Sequence, residues 1–298
     1  MMPISETASS PTFKNKSLWN ERFMRVQIII PILNPDNAFT TVLEMLSRQT
    51  VPNNILLIDS GDSQITGQFE KRSIERGTFN HANTRNIALE YTADLYLFMT
   101  QDALPYDSHL LTNLCKAFED PDVVVAYARQ LPYPYADPIE VFARHTNYPE
   151  HSCIKTKDDI AKMGIKTFFA SDSCAMYRGE YFRNVAGFTK NLHTNEDMDF
   201  CARAILDHKK IAYVPDAKVY HSHNLSYTEL WKRYRMIGEY FRNQSWILTE
   251  ISKYRSAETT GMAHAINEIK FLFKTAPSYI PESILKSLIK FIAFKSPF

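Results

Sequence analysis

Three acidic strand ends, an acid pair beside a helix start and two histidines one residue apart are the side chains of this 298-residue chain whose types and places suit chemistry. Asp59 and Asp62 follow the apolar run NILLI, Asp102 follows LYLFMTQ, Glu196 and Asp197 lie in NEDMDF, and His221 and His223 close VYHSH. A carboxylate at the carboxyl end of a buried strand leaves the core while its backbone is still held rigidly, which is where ligands collect in open α/β sheets. It then needs a positive partner: a lysine, an arginine or a divalent metal. An aspartate after a strand most often bonds its own turn, and Asp62 is given that plain role. Acids gathered at one sheet edge raise each other's cost unless cations share the site, so Asp59 and Asp102 remain candidates. Strand alternation puts His221 and His223 on opposite faces, so at most one of them is expected to reach the site.

An aspartate at a strand end, a histidine on a later strand and a carboxylate at a helix start suit a sugar-nucleotide transferase. A divalent metal bridges the donor diphosphate in such chemistry. A separate carboxylate takes the proton of the acceptor hydroxyl, and Asp197 is the candidate base. On spacing alone, the other reading of Asp197, a helix-start acid with electrostatic value only, stays open. Asn195 is expected to cap that helix, with Glu196 and Asp197 stabilised and ionised in its first turn.

The positioning elements alternate. VQIIIP, NILLI, LYLFM and Val123–Ala128 are continuous apolar runs of strand length. Between them, apolar residues at helical spacing predict helices over Ala38–Arg48 and around His109–Phe118, and Asn83 is the expected cap of TRNIALEY. Strands without alternation, separated by helices, predict an α/β fold with a parallel sheet covered on both faces. QLPYPYADPIEVFARHTNYPE reads as a loop folded over the site. TFFASDSCAMYRGEYFRNVAGF reads as a short strand, a turn and a helix stopped by Gly187, NEDMDFCARAILDHKK as a helix, and IAYVPDAKVYHSH as a strand. Three units follow: an N-terminal segment 1–22 expected to be poorly ordered, a core domain 23–225, and a helical extension 226–298.

Composition narrows the function. The first residues, MMPISETASSPTFKNK, lack an apolar core with a cleavage site, and no run approaches the ~18–20 apolar residues of a membrane span. Cys115, Cys153, Cys174 and Cys201 form no C-x-x-C pair and are expected to be reduced, packed thiols of a cytoplasmic protein. Net charge is +1 overall, yet residues 226–298 carry eleven Lys or Arg against six Glu. A solvated helical surface is one reading of this tail. The sharper one is peripheral contact with an anionic membrane at its inner face, because Ile284, Leu285, Leu288, Ile289 and Ile292 recur at helical spacing beside Lys286, Lys290 and Lys295. No basic face interleaved with aromatics is present, so nucleic acid is not an expected partner.

IIIPILN, LLIDSGDS, HANTRN, TQDA and NEDMDF ahead of VYHSHN, in that order, resemble the family 2 glycosyltransferases of GT-A fold. FNHANTRN, SDSCAMYR, NEDMDF and VYHSH are most similar to the bacterial rhamnosyltransferases that build cell-wall or O-antigen rhamnose polysaccharides. The resemblance covers Val26 to Tyr234 and implies a Rossmann-like, mostly parallel central sheet flanked by helices, with a helical C-terminal extension. It implies that Pro31 and Asn34 line the nucleotide pocket, that Asp59 meets the base or ribose, and that Arg85 lies against the nucleotide or its phosphates. The family's D-x-D motif stands here as Thr100-Gln101-Asp102, so Asp102 is its surviving acid, with Gln101 beside it at the donor. Glu196 and Asp197 match the catalytic acid pair, with Asp197 as base. His221 matches a metal-ligand histidine, with His223 as fallback, for Mg²⁺ or Mn²⁺. The implied reaction is an inverting transfer of L-rhamnose from dTDP-β-L-rhamnose to a saccharide acceptor, expected to be lipid-linked. Trp231, Tyr133, Tyr135 and Tyr148 offer flat faces for acceptor sugar.

Several rivals are weighed against this reading. A sugar-nucleotide pyrophosphorylase or a nicotinamide dehydrogenase needs a glycine-rich phosphate loop, and IIIPILNPDNAF has no glycine. A metal-dependent hydrolase would show a denser ligand set. A non-catalytic saccharide-binding relative fits the reduced metal motif but not the intact Glu196-Asp197 pair, and a hexosyltransferase using another nucleotide sugar is the nearest alternative.

Overall fold

The continuous apolar runs become buried strands because each must cover both faces of one sheet. The computed structural model describes residues 24–254 and 259–297, and the expected disorder of segment 1–22 lies outside the described residues. Strand β1 (Val26–Ile32) is followed by helix α1 (Ala38–Ser47), β2 (Asn53–Asp59) and β3 (Glu70–Ser73). A short helix α2 (His81–Arg85) leads to β4 (Leu95–Met99), β5 (Leu104–Pro105), α3 (Leu110–Lys116) and β6 (Val123–Leu131). Next come α4 (Pro138–Asn147), β7 (Cys153–Lys155), α5 (Ile160–Met163), β8 (Cys174–Arg178), α6 (Gly179–Asn184), α7 (Glu196–Leu206) and β9 (Lys210–Tyr220). Four helices close the chain: α8 (Tyr227–Asn243), α9 (Ser245–Ser252), α10 (Thr259–Thr275) and α11 (Ile280–Lys295).

The strands order as β3-β2-β1-β4-β8-β6-β9-β5, with β7 paired to β9. The N-terminal half is parallel, as the runs predict: β1 pairs with β2 and β4, and β2 with β3. The other half is mixed, because β8 enters antiparallel between β4 and β6. Alternate residues of β1 serve opposite layers. Ile28, Ile30 and Ile32 pack with Phe39, Val42 and Leu46 of α1 and with α3. Ile29 joins Phe98, Tyr177, Phe182, Phe188 and Phe200 on the other face, where rings meet edge to face at centroid separations of 5.0 to 5.4 Å.

Several local expectations change in three dimensions. Residues 138–147 of the aromatic stretch form a helix rather than loop, because Asp137 accepts from the Glu140 N–H and Pro138 occupies the first turn. The cap of α2 is Asn80, not Asn83: its side chain accepts from the Asn83 N–H at 3.1 Å. Helical order in TRNIALEY tightens after Arg85 into a 3₁₀ stretch over Asn86–Glu90. The described residues after 226 are mostly helical, and they share the core of the sheet domain, since Tyr240, Phe241, Ile247 and Ile251 are buried with the strand residues. Two of those helices touch backbone to backbone. A Cβ on Gly238 of α8 would lie 2.1 Å from the Phe294 carbonyl oxygen on α11, and Arg242 donates to the same oxygen at 3.1 Å.

Gly238→Ala is expected to push α8 from α11 and to destabilise the fold by about 1–3 kcal/mol, the usual cost of overpacking. Urea denaturation reads this directly, and an unchanged midpoint would mean that the close approach is dispensable.

Candidate active site

Helix α7 opens from a loop held in left-handed backbone: Asn191 and Asn195 have φ of 64° and 60°. Asn195 therefore does not cap α7 through its side chain as expected. Asp197 takes up backbone donors instead. One carboxylate oxygen accepts from the Met198 N–H at 2.7 Å, the other from the Asp172 N–H at 3.2 Å. Asp197 is half-buried and lines a cleft of about 490 Å³. Burial, with Glu196 beside it, pushes its carboxyl up to about 6, which suits a group that must accept a proton near neutral pH.

Two further acids stand against Asp197, and one arginine answers them. The Arg85 guanidinium lies 2.9 Å from Glu196 and 3.4 Å from Asp172, and its side chain is only 3% exposed. It also donates to His81 Nδ1 at 3.0 Å, so the imidazole is neutral; burial and Arg85 lower it to about 3. Asp172 takes a hydrogen bond from the Tyr177 hydroxyl at 2.7 Å, and burial holds its carboxyl well above the usual range despite Arg85. Arg85 lines the cleft together with these acids. Its charge faces Glu196 and Asp172, where a bare acid cluster would repel itself.

Asp102 sits at the same cleft with both histidines. Its oxygens lie 3.5 Å from His221 Nε2 and 3.3 Å from His223 Nε2, and the two Nε2 atoms are 3.0 Å apart. The expectation that alternation separates the histidines fails because β9 ends at Tyr220. Beyond that point the chain turns, and both rings swing to one side. His221 Nδ1 lies 2.8 Å from the Gln130 carbonyl oxygen, so Nδ1 carries the proton and Nε2 presents its lone pair. Gln130 accepts in turn from Arg144 at 2.5 Å. Arg144 is paired with Glu140, and Glu140 accepts from the His223 N–H at 3.3 Å. Burial lowers both imidazoles, His221 to about 3. Burial raises Asp102, but His221, Thr100 and His223, with a backbone hydrogen bond, together outweigh it and leave the carboxyl below its ordinary value. All three groups are therefore in the protonation state a cation needs.

The remaining expected residues gather beside this cleft at the ends of β1 and β2. Gln101 clamps the β1 loop, accepting from the Leu33 N–H at 2.8 Å and donating to its carbonyl at 3.3 Å. Asn34, with φ of 43°, abuts Gly61, and Pro31 is half-buried in β1. Asp59 is 1% exposed and accepts from the Gly61 and Ser63 N–H groups and the Ser63 hydroxyl. Asp59, not Asp62, is thus the turn-forming acid, and its carboxylate is not open for a base or ribose. Tyr133 and Tyr135 stack at 5.1 Å near Asp102, whereas Tyr148 is buried and offers no open face. Sequence reasoning passed over Gln130, Glu140, Arg144 and Asp172. The Glu140/Arg144 spacing of four, in a stretch read as loop, was the available signal.

Residues 97–294 match the family model described as glycosyl transferase family group 2. The chain belongs to this family. The glycosyltransferase is 36% identical to the O-antigen chain rhamnosyltransferase RfbN of Salmonella typhimurium over 91% of this chain and 89% of that one. It is 34% identical to WbaN of Salmonella anatum, an O-antigen chain rhamnosyltransferase, over 90% and 87%. In fold it is similar to the Pyrobaculum calidifontis mannosyltransferase PcManGT, solved with GDP-Man and Mn²⁺, at a TM-score of 0.59 and 14% identity, over 94% of this chain and 92% of that one. It is similar also to TarS residues 1–349 of S. aureus with UDP-GlcNAc, at a TM-score of 0.53 and 15% identity, over 91% and 89%. The GT-A fold expected from the sequence is therefore present. Asp102, His221 and His223 offer ligand atoms within 4.8 Å of one another, a set of two imidazoles and one carboxylate that fits a divalent cation in this glycosyltransferase. No helix among the described residues is long and apolar enough to cross a membrane.

Gln130→Leu removes the acceptor that orients His221 and is expected to weaken Mn²⁺ binding about 10–100-fold. Titration calorimetry checks this; unchanged affinity would take His221 out of the ligand set.

Proposed function

We propose that this glycosyltransferase moves L-rhamnose from dTDP-β-L-rhamnose to a lipid-linked saccharide with inversion at the anomeric carbon. The observation that carries the reading is one cleft lined both by Asp197, raised to about 6, and by the Asp102, His221 and His223 cluster. A base and a charge-holding group are the two parts a single displacement requires. The rhamnosyl donor is supported by the O-antigen chain relatives.

Asp197 takes the proton of the acceptor hydroxyl as that oxygen attacks the anomeric carbon, while the dTDP oxygen leaves on the opposite face. Glu196 does not share this role, being 5% exposed and paired with Arg85; it holds the helix start on which the base sits. Arg85 is buried at the cleft and paired with Glu196, and the exposed cations that face the diphosphate are Lys232 and Arg233 of α8, which line the same cleft. Asp102, His221 and His223 would hold Mg²⁺ or Mn²⁺, which when bound neutralises charge on the departing nucleotide. Pro31 and Asn34 stand at the strand ends where the nucleotide lies, and Gln101 fixes that loop.

The lipid-linked acceptor is supported by the last two helices. Ile284, Leu285, Leu288, Phe291 and Ile292 form an exposed apolar stripe along α11, and Ile266 and Phe273 are exposed on α10. Lys270, Lys274 and Lys295 are exposed on the same helices, whose described acids are buried or half-buried. An apolar stripe flanked by lysines with no exposed acid complements an anionic bilayer surface. Lys286 faces inward instead, 3.1 Å from Asp137.

Asp197→Asn is expected to lower kcat about 10²–10⁴-fold with dTDP-rhamnose while dTDP affinity persists. The wild-type rate should fall through pH 6 as Asp197 protonates and the base is lost. Undiminished turnover in the Asn variant would remove Asp197 as base, and turnover with UDP- or GDP-sugars instead would replace the donor. Leu288→Glu with Phe291→Glu should cut sedimentation with phosphatidylglycerol vesicles at least roughly tenfold, since burying each such side chain contributes about 1.5–3 kcal/mol. Equal sedimentation would show that this face does not meet lipid.

A further inference from the structure

Beside the catalytic cleft lies a second hollow, of about 540 Å³, which the steps above do not use. Its walls are the loop from Lys190 to Thr194, helix α8 from Met236 to Asn243, and Gln244 just after it. His193, Thr194 and Met236 line both hollows, so the two are stretches of one groove. Helix α8 makes this continuity. Glu229, Lys232, Arg233 and Met236 face the cleft, and Met236, Glu239, Tyr240 and Asn243 face the second hollow. Spacings of three and four keep these positions on one side of the helix, which from 229 to 243 runs about 21 Å.

The lining has the chemistry of a neutral sugar site. Glu239, Asn243 and Lys190 provide a carboxylate, an amide and an ammonium group, and none makes a hydrogen bond or ion pair among the described residues. One acid and one base leave the wall without net charge, unlike the Lys232 and Arg233 side. The Tyr240 hydroxyl is buried and has no hydrogen-bond partner, although the residue lines the hollow and is only 5% exposed. Leu192, Met236 and the Tyr240 ring supply apolar surface for the C–H face of a pyranose. A few convergent polar groups on an apolar wall, in a hollow of about 300–1,000 Å³, is the usual form of a small-ligand site.

The loop wall is braced in advance. Asn83 of α2 donates to the Asn191 side chain and accepts from its N–H, each at 2.9 Å. Asn80 lies 3.3 Å from His193 Nδ1. A wall that need not be ordered on binding loses less affinity to entropy. Thr194 is three residues before Asp197, so the groove reaches the base along its own loop.

We propose that this second hollow is an acceptor subsite for a neutral oligosaccharide, holding the unit next to the sugar whose hydroxyl Asp197 deprotonates. The assignment rests on the transferase reading above. It makes Glu239 and Asn243 acceptor-binding residues with no part in the donor chemistry.

Saturation-transfer NMR on the full chain, with methyl α-L-rhamnopyranoside, methyl α-D-mannopyranoside and methyl α-D-galactopyranoside at millimolar concentration, tests this. At least one glycoside should bind. Glu239→Ala combined with Asn243→Ala should weaken it about tenfold, as for loss of a hydrogen bond to a charged group, and Asn243→Trp should block it by filling the hollow. Thermal stabilisation by dTDP should equal that of the wild type in all variants, which also reports that they fold. Absence of glycoside binding in a wild type that dTDP stabilises, or binding unchanged in the variants, overturns the subsite. Absence of stabilisation by dTDP overturns the donor reading instead.

Discussion

Arg85 is the charge on which the catalytic end of the molecule is built. Asp172, Glu196 and Asp197 converge from the loop before β8 and from the start of α7, and three acids so close would each be forced toward protonation. A buried guanidinium between Glu196 and Asp172 makes that convergence affordable. Removing one partner of such a pair leaves an uncompensated buried charge, which costs far more than the pair itself contributes. Arg85 hydrogen-bonds Glu196 and lies 3.4 Å from Asp172, and both of those acids are buried, whereas Asp197 is half-buried at the cleft. The raised titration of Asp197 follows from burial first and from Glu196 beside it second. The guanidinium also ties two segments far apart in the chain, the start of α7 that carries Asp197 and the loop that carries the Asp172 N–H.

The opposite rim obeys a different constraint. Asp102 lacks the second acid of its motif, and two histidines stand beside it instead. Their aim is not free: Gln130, Arg144 and Glu140 form a closed set of hydrogen bonds that fixes the His221 ring and the His223 backbone. Such outer contacts decide whether a ligand atom presents a lone pair or a proton. Helix α8 then joins the two rims. It brings Lys232 and Arg233 to the cleft, continues past Met236 as the wall of the second hollow, and leans at Gly238 on α11, whose outer stripe faces away from the site. The two hollows and the outer stripe thereby share neighbouring helices of one packed body.

Much of the fold was legible because burial leaves a local trace. VQIIIPI, NILLI and LYLFM could not be half-exposed strands, and their spacing by helices allowed little but a covered parallel sheet. The antiparallel entry of β8 left no such trace, since an apolar pentapeptide reads the same in either direction. Helix α4 was hidden by the prolines and tyrosines around it, although Asp137-Pro138 is a sound helix start. At the site, residue types pointed correctly to Asp102, Asp197 and His221 as neighbours of one cleft. They did not reveal the ion pairs of Arg85 or the turn bonds of Asp59, because a charged side chain looks equally ready for a ligand or for a buried partner until its surroundings are known.

By itself the sequence determined the layers of the sheet, the family, and the acids and imidazoles available for chemistry, since all of these depend on side-chain type and short-range order. Only the tertiary structure decided how those charges are spent. Arg85 lies 111 positions from Glu196, and Gln130 lies 91 from His221. Pairings at that separation are chosen by the packing of whole elements, not by any property of the neighbouring residues. The same holds for the two histidines: alternation along a strand separates them, but the strand stops one residue short, and the chain's turn brings both to Asp102.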